Sequence, residues 1–254
     1  MATFKSKLIK VLAMTALVFA AFSFTACGPK PGDGSGSGGG SGGGSGGSGG
    51  GDGTPQLTAA QKAKLKALNG YEITFEYNVS DEAGTENGEY TLGEKGDVSW
   101  FSTEGVSMAL KKTGSTIETY MGMPDDEDED TIVWYSFGGE TADQDFDISL
   151  AEGFFAWAND YDLSDFTLAG TETVAGRSCN KYTCTDSAYG YGEWATASWA
   201  IWIDKELDIT MKFEVSGSSS NEGSAEYYYR ITSFKTGNEV ILPDLENAVD
   251  MSNM

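Results

Sequence analysis

From Tyr71 onward the chain alternates apolar and polar residues with a period of two: Tyr71, Ile73, Phe75, Tyr77 and Val79 are separated by Glu72, Thr74, Glu76 and Asn78. That period predicts a β-strand with one buried and one wet face. Similar short runs follow at Gly88–Leu92, Asp97–Thr103, Val106–Lys112, Thr116–Met121 and Thr131–Phe137, parted by Gly, Asn, Asp and Ser at hairpin spacing. After an interruption, strands are predicted again at Thr167–Thr173, Ser178–Thr185, Ala195–Asp204, Ile209–Val215 and Ser224–Phe234. The run Val240-Ile241-Leu242 adds one edge pairing before Pro243 ends it.

Two segments have a helical pattern. Thr58 and Gln61 make a capping box, and the helix they open runs to Leu68 and stops at Asn69-Gly70, a pair suited to a left-handed cap. The second, Ser149–Tyr161, carries Leu150, Phe154, Phe155, Trp157, Ala158 and Tyr161, enough bulk to plug a curved sheet. The order predicts a mainly β (α+β) domain over residues 55–254. It is a single curved antiparallel sheet of about 11 strands, forming an unclosed half-barrel with both helices on its concave side.

The pattern before residue 55 is of another kind. Lys5, Lys7 and Lys10 precede an apolar run from Val11 to Phe22 and a small-residue exit, the layout of a signal peptide over residues 1–26. The tetrad Phe24-Thr25-Ala26-Cys27 resembles the bacterial lipobox, with Phe24 where leucine is commonest. The resemblance implies that Cys27 carries the lipid and becomes the amino terminus. Residues 27–54 are then the lipidated cysteine and a Gly/Ser tether, a coil spanning roughly 28 Å. The membrane is thus a partner through the anchor. Gly28 in the position after the cysteine favours the outer membrane or cell surface if the host is Gram-negative.

Composition narrows the chemistry. The formal charge of -23 becomes -26 once the leader takes away three Lys, so nucleic acid is excluded as a partner. The chain has no histidine, which removes Ser-His-Asp and Cys-His catalysis and His-ligated zinc. It also lacks a phosphate-cradling glycine loop or a nucleophile motif, so neither catalytic residue, metal nor cofactor is assigned. An enzyme would require buried carboxylates converging in a cleft.

Cys179 and Cys184, five residues apart in one strand, would lie on opposite faces roughly 16 Å apart. Two separately buried thiols are the favoured reading; a tight turn at Asn180-Lys181 would permit a bridge. The acidic run 125–130 reads as a solvated hairpin loop, because it lacks the glycine and terminal glutamate of a calcium loop.

The segment Thr173-Val174-Ala175-Gly176-Arg177-Ser178-Cys179-Asn180-Lys181-Tyr182, then Trp202-Ile203-Asp204-Lys205-Glu206-Leu207, then Ile231-Thr232-Ser233-Phe234-Lys235, resembles the later strands of the lipoprotein-carrier (LolA/LolB-like) superfamily and related bacterial domains of unknown function. The resemblance covers about 60 residues. It implies an open barrel whose concave face holds an acyl chain or another apolar ligand. Phe154, Phe155 and Trp157 are candidate ligand contacts on the second helix, and Tyr189, Tyr191 and Trp194 in a glycine-rich loop are candidate contacts for a ligand or an envelope protein. The expected function is a non-catalytic, lipid-anchored, extracytoplasmic binding module. The alternative is a structural or protein-interaction lipoprotein of the cell envelope with a filled core.

Overall fold

The computed structural model describes residues 56–81, 84–125, 127–128, 131–141, 149–159, 163–186, 196–219 and 223–252. The leader, Cys27, the Gly/Ser tether and the loop containing Tyr189, Tyr191 and Trp194 lie outside them.

Helix α1 (Ala59–Lys66) opens on the expected capping box: the Thr58 hydroxyl accepts from the Gln61 amide at 3.3 Å, and the Gln61 side chain accepts from the Thr58 amide at 2.9 Å. It closes at Ala67, and Asn69 (φ 56°) and Gly70 (φ 101°) turn the chain through the left-handed region.

Six strands follow as a meander: β1 (Tyr71–Asp81), β2 (Gly84–Lys95), β3 (Val98–Thr103), β4 (Val106–Thr113), β5 (Thr116–Pro124) and β6 (Ile132–Thr141). Helix α2 (Leu150–Ala158) leads to a second meander: β7 (Thr167–Val174), β8 (Arg177–Asp186), β9 (Thr196–Asp204), β10 (Thr210–Ser219) and β11 (Gly223–Thr236). Antiparallel pairing of β1 with β11 joins the halves, and a two-residue strand, β12 (Val249–Asp250), pairs parallel with β6. Among the described residues the result is one twelve-stranded open sheet, β12-β6-β5-β4-β3-β2-β1-β11-β10-β9-β8-β7, in the form of an unclosed half-barrel.

Register sorts the side chains by face. Tyr71, Ile73 and Phe75 of β1 point to the concave, helix-bearing face, where they meet Phe154 and Phe155 of α2 and Leu57 and Leu65 from the α1 region in the main core. Helix α2 is seated by the Ser99 hydroxyl, which accepts from the Leu150 amide at 3.1 Å, and by Ser149, whose hydroxyl donates to Glu94. An ion pair of 2.7 Å between Lys62 and Glu152 ties the two helices together.

The tail departs from expectation. Val240 is buried instead of pairing at an edge, and Val249–Asp250 form the edge strand. Val240 and Leu245 pack on the opposite face of the sheet, over Trp100, Ala109, Tyr120 and Trp134. The Lys95 ammonium fixes this strap by donating to the carbonyls of Gly237 and Val240 at 3.0 and 2.8 Å. The cause is visible in the strands beneath: β3, β4 and β5 place apolar residues on both faces (Trp100 and Phe101, Ala109 and Met108, Tyr120 and Met121), so both faces need cover.

Candidate ligand-binding site

The residues singled out on α2 fall into the interior. Phe154 stacks on Phe75 with ring centroids 4.4 Å apart and meets Tyr229 edge-on at 5.6 Å, while Phe155 packs at 6.3 Å from Tyr71. Both are buried, so they fill the concave face over β1 and β11. Trp157 occupies a helical position whose side chain lies outside the described residues, as do Tyr189, Tyr191, Trp194 and Cys27.

Beyond α2 the same face changes character. Cross-strand register carries one row from Ile73 through Leu92, Phe101, Met108 and Met121 to Tyr135. Ile73 and Leu92 are buried, whereas Phe101, Met108, Met121 and Tyr135 are half-buried. Among the described residues, Met108 and Met121 belong to neither hydrophobic core. The outer part of the row spans three strand spacings, roughly 14 Å. It borders a set of stacked rings: Tyr90 lies 5.4 Å from Phe101 and 5.3 Å from Tyr77. Methionine has three rotatable bonds and a polarizable sulfur, so such a row conforms to apolar ligands of differing shape. Sequence reading missed Met108 and Met121, since a methionine at an alternating strand position reads as core. The available signal was the two-faced apolar pattern of β3 to β5.

The two cysteines are buried on β8 without a turn between them, and among the described residues no disulfide joins them. Burial, with the nearby Asp204 charge, pushes the Cys179 thiol up to about 11. In the acidic run, Asp125 accepts from the Glu127 amide at 2.7 Å and Asp128 from the Thr131 hydroxyl at 2.8 Å, contacts that close the β5–β6 loop on itself. Among the described residues no three His, Cys, Asp or Glu side chains are grouped to hold a metal ion, and no helix is long and apolar enough to cross a membrane.

No protein-family model and no curated protein matches the sequence. Solved structures to which the chain is similar include PNGF-II, at 13% identity and a TM-score of 0.27, where the match spans 72% of this chain and 31% of that one. The Mycobacterium tuberculosis lipoprotein LppX matches at 14% identity and TM-score 0.30, over 72% and 94% of the two chains. A LolA superfamily protein from Nitrosomonas europaea matches at 10% identity and TM-score 0.25, over 74% and 96%. Likenesses of this degree assign neither a superfamily nor a ligand.

Proposed function

We propose that this chain is a lipid-anchored, extracytoplasmic binding module without catalysis, and that it takes an apolar chain across β3 to β6 on its helix-bearing face. The observation that carries the reading is the half-buried row Phe101, Met108, Met121 and Tyr135, whose two methionines lie outside both cores. The anchor rests on the lipobox-like tetrad ending at Cys27 and the tether behind it. The location that follows is the cell envelope, at the outer membrane or cell surface in a Gram-negative host.

A second reading keeps the anchor and replaces the ligand by an envelope protein partner. It is favoured by Phe154 and Phe155, which fill the concave face that a deep acyl pocket would need. Native mass spectrometry of residues 28–254, expressed without the leader, separates the two. A co-purified lipid, or adducts on adding fatty acid, supports the first; a clean apo mass with no response to fatty acids supports the second. For the anchor, Cys27→Ser is expected to abolish labelling by radioactive palmitate in cells and to release the protein from the membrane fraction.

A further inference from the structure

The face opposite the helices holds a second arrangement that the apolar row does not explain. Register lines up Glu76, Arg230, Lys212, Trp202 and Lys181 across five adjacent strands, β1, β11, β10, β9 and β8. Trp202 is only 1% exposed although it lies on the outer side. The Lys212 and Lys181 ammoniums roof its ring, at 4.2 and 4.7 Å from the centroid, and its indole N–H donates to Glu172 at 2.7 Å.

Two adjoining cavities open on this floor. One, of about 390 Å³, lies between β7 and β11 and is lined by Glu172, Thr173, Lys212, Arg230 and Thr232, among others. The other, of about 210 Å³, is lined by Glu76, Lys212, Glu214, Tyr228 and Arg230. Lys212 and Arg230 face both.

Charge makes this placement informative. The chain has 16 Lys and Arg against 39 acidic residues, and its two arginines are Arg177 and Arg230. Arg177 is committed to the buried Asp204, whereas Arg230 is half-exposed and pairs with the partly exposed Glu76. Lys212 pairs with Glu214 at 2.6 Å, and that carboxylate is 47% exposed. The Arg230–Glu76 pair, 49% and 30% exposed, contributes about 0–1 kcal/mol, so an incoming anion displaces Glu76 at small cost. The net negative charge repels polyanions at a distance, but beyond about 8 Å it is screened at physiological salt. Inside the groove Glu172 is held by the Lys181 ammonium and the Trp202 indole N–H, which leaves Arg230, Lys212 and the hydroxyls of Thr173 and Tyr228 to meet an anion.

The geometry points to an oxyanion site in this groove, in which the Arg230 guanidinium and Lys212 ammonium grip a phosphate-type group and the hydroxyls of Thr173 and Tyr228 complete its hydrogen bonds. Arginine supplies a planar fork and lysine a point charge, the pair of donors such a group calls for. The phosphate belongs to a small solute or to a lipid headgroup.

Calorimetry at low ionic strength tests the site with three probes: inorganic phosphate and glycerol phosphate on the detergent-solubilised full chain, and phosphatidic-acid vesicles on the full chain after the detergent is removed. Arg230→Gln and Lys212→Gln are each expected to weaken binding by at least about tenfold, and Lys111→Gln on β4 to leave it unchanged. Saturable binding of either soluble probe with that dependence supports a solute site. Binding of the vesicles alone, with the same dependence, supports a headgroup. In the wild-type chain, the indole N–H resonance of Trp202 is expected to move on titration as Lys212 shifts over the ring. A failure of all three probes, wild-type affinity in both variants, or a Trp202 resonance unmoved by a bound probe overturns the proposal.

Discussion

The indole of Trp100 occupies the space that a side chain on Gly93 would need: a Cβ there would lie 2.1 Å from two ring carbons. Gly93 and Trp100 are direct cross-strand partners on the outer face of β2 and β3, beneath the C-terminal strap. Gly93→Ala is therefore expected to destabilise the domain by about 1–3 kcal/mol through overpacking. The urea midpoint should fall with the m-value unchanged; an unaltered midpoint would show that the indole has room to move.

The Arg177–Asp204 pair has a different weight. Two guanidinium nitrogens reach the carboxylate at 2.6 and 3.1 Å, and Asp204 also accepts from the amides of Glu206 and Leu207 at 2.9 and 2.7 Å. The aspartate side chain is 1% exposed. Asp204→Asn breaks a buried pair and leaves Arg177 without its main partner, so a loss of about 3 kcal/mol is expected in the same urea assay. A change below 1 kcal/mol would mean that the turn holds without the charge.

The strap is expected to act as part of the fold. Leu245→Ala removes buried apolar volume over Tyr120 and Trp134 and should cost about 2–3 kcal/mol. Truncation after Glu239 should uncover the aromatic face and raise the binding of a hydrophobic dye. Wild-type stability and no dye response in the truncated chain would contradict this.

The order of elements was legible in the alternation of side chains. Both meanders, the mid-chain helix and the capping box at Thr58 follow from local pattern, which neighbours along the chain decide. The strap was not, because Val240-Ile241-Leu242 looks like any short strand; its place is set by the need of Trp100, Tyr120 and Trp134 for cover from a segment remote in sequence. The candidate sites divide in the same way. Phe154 and Phe155 were readable as bulk on a helix, but whether they line a pocket or fill it depends on Phe75 and Tyr229, which are distant in the chain. The meeting of Lys181, Trp202 and Lys212 exists only through the register of three strands.

Alkaline pH offers a separate check. Burial raises the Cys179 thiol from 9.0 to about 11, and burial with the hydrogen bond to Glu118 raises the Tyr120 hydroxyl from 10.0 to about 12. Both groups stay protonated in the folded state after the unfolded chain has begun to lose its protons, so the stability they contribute is present below pH 9 and lost as pH rises through 11 to 12. Unfolding free energy should fall across that window, and less steeply in Tyr120→Phe. A flat profile would contradict the burial of these groups.

The apolar row is tested most directly by the methionine methyl resonances of the folded chain during titration with a long-chain fatty acid. Met108 and Met121, half-buried in the row, are expected to shift in a saturable manner, while Met211, fully buried in the main core, stays in place. Unmoved Met108 and Met121 signals at saturating fatty acid, or shifts confined to other methionines, would contradict the proposed ligand path.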